Sequence, residues 1–173
     1  MAFVQHDITA IPFPSGCANL IFSCFLLTHL RDPAAVAAKW ATQLEHRGLL
    51  LLEETEAIHT AQPVFARYLR IVEAMLAGQS NHLYAGRLVA SLHFQGDLKP
   101  MTSEVRPLSI RNSQAANMFG LNLRSWKESE FVRANYSCDS IVELEQALTE
   151  IATGQSSARD IEWELRQAAW LKE

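Results

Sequence analysis

Glycine and cysteine are both scarce in this 173-residue chain. Its 7 glycines, at positions 16, 48, 78, 86, 96, 120 and 154, all stand isolated. No GxGxG or comparable glycine-rich loop is therefore available to let backbone approach a phosphate or nucleotide. The 3 cysteines, Cys17, Cys24 and Cys138, are odd in number and irregularly spaced. That excludes a disulfide framework and favours thiols kept reduced in the cytoplasm. No Cys or His pair has metal-ligand spacing and the six histidines are scattered, so no metal is expected. Basic residues are outnumbered, 15 Lys and Arg against 19 Asp and Glu, for a net charge of −4. Nucleic acid and anionic membrane surfaces need a basic footprint, so neither is an expected partner. No apolar run nears the ~20 residues that span a bilayer. The opening Met-Ala-Phe-Val-Gln-His-Asp has neither the basic region nor the apolar core of a secretory signal.

What is present is an ordinary folding composition, 49% hydrophobic and 20% charged, in a length that predicts one domain. Val4–Ile8 reads as a short strand ending at an acid. Pro12-Phe-Pro-Ser-Gly16 breaks regular structure, and Asn19–Cys24 then reads as a strand buried on both faces. Asp32 and Pro33 open a helix whose apolar face is Val36, Trp40 and Leu44, with Arg47-Gly48 as its end. The four leucines Leu49–Leu52 predict a second buried parallel strand, which makes Asn19–Glu53 one strand–helix–strand crossover unit.

Beyond it, Pro63 opens a helix with Phe65, Tyr68, Leu69, Val72 and Leu76 on one side, closed by Gly78. A further helix is expected over Leu83–His93 and a loop over Gly96–Met101. Glu104–Ile110 has strand composition, placed at an edge by Pro107. Ser113–Trp126 and Ser140–Thr153 read as helices, the second capped by Asp139 and followed by a turn over 154–157. Ile161, Trp163 and Leu165 alternate with charged residues, which is strand period, although Glu, Leu, Arg and Ala give helix a competing claim on the segment.

Taken in order, Asp7-Ile8, Ile11-Pro-Phe-Pro, Leu20-Ile-Phe-Ser, Leu27-Thr-His-Leu30, Asp32-Pro33 and Gly48-Leu-Leu-Leu-Leu-Glu53 resemble the class I S-adenosylmethionine-dependent methyltransferases of small molecules. The resemblance is close over Phe3–Glu54 and looser onward to Trp163-Glu-Leu-Arg-Gln167. It implies an α/β fold: a partial Rossmann-like sheet with strands equivalent to the family's third to seventh, and a helical insertion. It divides one methyltransferase-like domain, 1–173, into a core part (1–56), a helical cover (57–103) and closing helices with an antiparallel strand pair (104–173).

The family's glycine-rich turn and the acid that holds the ribose have no counterpart here, so the resemblance reads the chain as N-terminally truncated and incomplete for catalysis alone. Family strand order 3-2-1-4-5-7-6 would leave a slot of ~14 Å, three spacings of about 4.8 Å, between Val4–Ile8 and Asn19–Cys24. Either the first strand moves across, or the edge pairs with another chain. A homodimer through the exposed edge is the expectation.

The same resemblance implies the site. Asp7 and Ile8 take the adenine position, and Ser23, Cys24 and Phe25 line the methionine side of S-adenosylmethionine. Each also has a plainer role, as a solvated strand end or as core. His29 is a candidate base because imidazole titrates near neutrality, but it also suits a hydrogen-bonded turn. Glu53 and Glu54, at the end of the leucine strand, face the crevice where such sheets bind ligands, or merely solvate the exit. Tyr68 and Tyr84 in the cover fit a small-molecule substrate, or simple helix packing. Methyl transfer relies mostly on in-line positioning of an already activated sulfonium, so a missing base argues little. The alternative is a non-catalytic dimeric module that binds an apolar small molecule or a protein partner.

Overall fold

The computed structural model describes residues 3–154 and 157–173. The turn expected over 154–157 thus lies partly outside the described residues, as does Met1. Four strands form one sheet among the described residues, in the order β1-β2-β4-β3. They are β1 (Ala18–Cys24), β2 (Leu44–Thr60), β3 (Leu98–Ser109) and β4 (Ile161–Lys172). The helices are α1 (Pro33–Thr42), α2 (Pro63–Gly78), α3 (Ala85–Ala90), α4 (Asn112–Trp126), α5 (Glu130–Asn135) and α6 (Cys138–Thr153). This order is that of the family's fourth, fifth, seventh and sixth strands.

The chain divides into two compact units. The first comprises the described residues of Met1–Ala57, Tyr84–Arg106 and Glu164–Glu173. The second comprises those of Ile58–Leu83 and Pro107–Trp163.

In the first unit β1 and β2 run parallel, with Leu20 opposite Leu49 and Cys24 opposite Glu53. Helix α1 joins them, its first turn closed by the Asp32 carboxylate accepting from the Ala35 N–H at 2.9 Å. Val36, Ala37 and Trp40 of α1 pack with Leu27, Leu44, Leu50, Leu52, Val89 and Trp170 into one core. Full burial of each large apolar side chain in it contributes about 2 kcal/mol.

Gly86 of α3 lies directly on β2. A β-carbon there would sit 2.7 Å from the Glu56 nitrogen and 2.8 Å from its Cα. Arg166 of β4 bridges to Glu56 at 3.0 Å, a pair with under a fifth of either side chain exposed. It also donates to the Ser103 hydroxyl.

The second unit is built on aromatic packing. Phe119 of α4 stacks on Tyr68 of α2 with ring centroids 4.1 Å apart and meets Phe65 edge-on at 5.5 Å. Trp163 closes the cluster. Arg67 ties α2 to the start of α6 by donating to the Ser140 carbonyl and hydroxyl.

Several expectations are corrected. Val4–Ile8 forms no strand, so the sheet is the expected partial one less its first member. The backbone groups of Ile8 and Thr9 are spent on local and helix partners instead of a ladder. Asp7 accepts the Thr9 N–H, the Ile8 carbonyl accepts from the Trp40 indole, and the Thr9 carbonyl accepts from Lys39.

Strand β1 is not buried on both faces: Leu20 is 52% and Phe22 61% exposed. Only the face toward α1 is covered. Helix α1 ends at Thr42 rather than at Arg47-Gly48, because pairing draws Leu44 into the sheet, where it is 2% exposed. Arg47, at φ 64°, and Gly48 instead form an irregularity in β2, where a Gly48 β-carbon would crowd the Glu45 carbonyl at 2.8 Å. The Gly96–Met101 loop gives way to β3 from Leu98, and the helix over Leu83–His93 shortens to α3. The cap of α6 is Ser137, not Asp139, and α5 had no counterpart in the expected elements.

Candidate functional site

Parallel pairing brings the ends of β1 and β2 together, which is where open α/β sheets place their ligands. Five of the expected site residues meet there: Ser23, Cys24, Phe25, Glu53 and Glu54. Ser23 is 6% exposed, and its buried hydroxyl has no hydrogen-bond partner. A buried hydroxyl left unpaired is costly, and this one stands at the end of β1.

The Cys24 thiol donates to Glu53 Oε1 at 3.3 Å, while Glu53 Oε2 accepts from the Gln167 amide. Desolvation, and then the hydrogen bond and charge of Glu53, push the Cys24 thiol up from an ordinary 9.0 to about 11. Two units leave about a hundredfold less thiolate at neutral pH, offset in part by the higher intrinsic nucleophilicity of a more basic sulfur. Cys24 is expected to alkylate with iodoacetamide about tenfold more slowly than a model-peptide cysteine at pH 7.5. Glu53→Gln restores part of that rate, since desolvation remains. A wild-type rate at or above the peptide value would show the thiol to be unhindered.

Phe25 follows β1 with its backbone in the left-handed region at φ 52°, and the residue is 46% exposed. Glu54 is turned inward at 1% exposure. Its Oε1 accepts the N–H groups of Leu26 at 2.8 Å and Leu27 at 2.7 Å. Burial raises its carboxyl above the usual range, against the pull of those N–H groups.

The remaining residues stand apart from this group. Asp7 is exposed on the segment before β1, and its carboxylate accepts both the Thr9 N–H and hydroxyl at 2.9 and 2.8 Å. Those bonds hold its pKa below the ordinary value. Ile8 is half-buried against the core that contains Trp40. His29 is exposed in a short 3-10 turn, Leu27–His29. Tyr84 precedes α3, with the Arg87 guanidinium 5.3 Å from its ring. Tyr68 belongs to the second unit, 3% exposed within the aromatic cluster.

Gln167, Arg166 and Ser103 were not singled out from sequence. The alternation of Trp163-Glu-Leu-Arg-Gln167 carried a signal for two of them, since it sets Arg166 and Gln167 on opposite faces of β4. Among the described residues no three His, Cys, Asp or Glu side chains stand close enough to hold a metal ion. No helix of the described residues is long and apolar enough to cross a membrane.

A parallel strand–helix–strand unit continued in the order β1-β2-β4-β3 defines a partial Rossmann-like sheet. Residues 1–52 match the family model of a methyltransferase domain. No curated protein matches the sequence. Among solved structures, one that it resembles is a putative methyltransferase of Bacillus halodurans. That likeness has 13% identity and a TM-score of 0.51, over 98% of this chain and 76% of the other. At such identity the likeness speaks for the fold.

The chain also aligns with phosphoethanolamine N-methyltransferase 2 of Haemonchus contortus, solved with phosphomonomethylethanolamine and S-adenosylhomocysteine. Identity there is 15% and the TM-score 0.43, over 89% of this chain and 33% of that one. A putative sarcosine dimethylglycine methyltransferase of Galdieria sulphuraria aligns at 14% identity and a TM-score of 0.43, over 97% and 58%. The chain thus spans between a third and three-quarters of the length of these proteins.

Proposed function

We propose that this chain serves S-adenosylmethionine-dependent methyl transfer to a small-molecule acceptor, and that its residues supply one wall of the cofactor site. The observation that carries this reading is the meeting of β1 and β2 ends, with an unpartnered buried Ser23 hydroxyl beside an exposed Phe25. In the reading, Ser23, Cys24 and Phe25 line the methionine side, Asp7 and Ile8 the adenine side, and Glu53 and Tyr84 the acceptor side. His29 is the candidate base.

The residues present do not make a whole cradle for the cofactor. The isolated glycines offer no backbone approach to its methionine part, and no acid is placed for the ribose hydroxyls. No catalytic step is derived through it. The reading has those groups supplied by a partner chain. Calorimetric titration of the 173-residue chain with S-adenosylmethionine is accordingly expected to give no binding tighter than about 1 mM, a free energy near −4 kcal/mol. Micromolar binding would show that the chain holds the cofactor unaided and would overturn this division of labour.

The reading includes a homodimer, supported by the position of β1 at the end of the sheet and the exposure of Leu20 and Phe22. An uncharged, apolar edge strand invites pairing. Sedimentation velocity is expected to show a dimer at micromolar concentration, shifted to monomer by Phe22→Lys. A monomeric wild type would remove the dimer. A reducing, cytoplasmic setting accords with three free, exposed cysteines.

A further inference from the structure

Two features at the end of β1 have a common cause. Phe25 adopts a left-handed backbone that costs a non-glycine residue free energy, and such strain persists only where surroundings over-determine it. Leu26 follows in the right-handed region, at φ −109° and ψ −38°. A left-handed residue followed by a right-handed one turns successive N–H groups to the same side, forming a concavity that suits an anion. Here the anion is internal. Glu54, projecting from β2, places one carboxylate oxygen within 2.7–2.8 Å of the Leu26 and Leu27 nitrogens. The Thr28 backbone N–H bonds the same carboxylate. These N–H groups stand at the start of the 3-10 turn, where the first donors of a helical segment have no partner within the segment itself.

We propose that Glu54 is a positioning residue rather than a substrate contact. Its carboxylate holds the β1 exit turn in shape, and so sets where the Phe25 ring and His29 stand at the ligand end of the sheet. This rests on reading that end as the cofactor wall, but its consequences are visible without any ligand. The backbone direction after Cys24 depends on the carboxylate, because the left-handed step at Phe25 is unfavourable unless the N–H groups it aligns are satisfied.

The test is amide hydrogen exchange and proton–nitrogen NMR on the whole chain. Glu54→Leu is expected to speed exchange at Leu26 and Leu27 about tenfold or more, the factor for losing a hydrogen bond to a charged group. Exchange at Leu50 and Leu52 stays within about twofold, and the Phe25 ring resonances move. Glu54→Gln keeps an acceptor oxygen and rescues most of the protection, while its lost charge shifts the Leu26 and Leu27 amide protons upfield. Phe25→Gly, for which the left-handed step is free, retains the protection.

The proposal is overturned by wild-type amide shifts at Leu26 and Leu27 in Glu54→Gln. It is also overturned if Glu54→Leu accelerates Leu50 and Leu52 as much as Leu26 and Leu27. Should Glu54→Leu not fold, the Glu54→Gln shifts and the Phe25→Gly protection decide. Because no ligand enters, failure here is distinct from failure of the cofactor reading, which the titration judges.

Discussion

Phe119→Ala is expected to lower the stability of the second unit by about 4 kcal/mol, within the range for emptying a buried phenylalanine site. Phe119 is 3% exposed and contacts three aromatic rings, Phe65, Tyr68 and Trp163. Truncation removes the transfer free energy of the ring and leaves a void that three rigid neighbours cannot collapse into. It also forfeits the stacked and edge-on pairs, each worth about 1 kcal/mol beyond area. Phe119→Leu, which keeps most of the volume, is expected to cost about 1.5 kcal/mol. Urea unfolding followed by near-ultraviolet circular dichroism separates the two. A midpoint change below half the expected size for the alanine variant, at constant slope, would mean the cluster repacks.

Gly86→Ala comes next, and its sign is the test. In an ordinary helix interior alanine is better than glycine by about 1 kcal/mol. In α3 the new methyl would meet Glu56 N at 2.7 Å, Glu56 Cα at 2.8 Å and the Thr55 carbonyl carbon at 2.8 Å. These are backbone atoms of a paired strand and cannot swing aside as a side-chain tip would. Overpacking of that kind costs about 1–3 kcal/mol, so after the gain from alanine a net destabilisation of about 1 kcal/mol is expected in the first unit. Gly120 of α4 is the control, since a β-carbon there meets nothing within 4 Å. Gly120→Ala is expected to stabilise by about 0.5–1 kcal/mol. If both substitutions stabilise, α3 does not sit on β2 at the distance described.

Local chemistry made much of the chain legible before any coordinates. Asp32-Pro33 marks a helix start by a cap and a preset φ, and both operate as expected. Pro63 opens α2 for a similar reason, and the alternation from Ile161 pointed to β4. The order of short motifs around β1, α1 and β2 sufficed for the methyltransferase-like fold. The expected meeting of Ser23–Phe25 with Glu53 follows directly from parallel pairing of those two strands.

What the sequence could not settle is where a neighbour is missing or competes. Val4–Ile8 has strand composition, yet a strand exists only by pairing, and the Ile8 carbonyl accepts from Trp40 instead, while the backbone of the following Thr9 bonds Lys39 and Asp7. Arg47-Gly48 has the chemistry of a helix end, but sheet pairing takes Leu44 first and turns the same residues into an irregularity within β2. Glu54 looked like a crevice carboxylate beside Glu53. Alternation along β2 sends it to the opposite face, where only the turn after β1 could supply its N–H partners. Residue type and spacing determined which elements form and how their ends are capped, because those forces act within a few residues. Pairing, burial and the direction each carboxylate faces were decided by the tertiary structure alone, because their partners lie ~30 or more residues away along the chain and are chosen by packing.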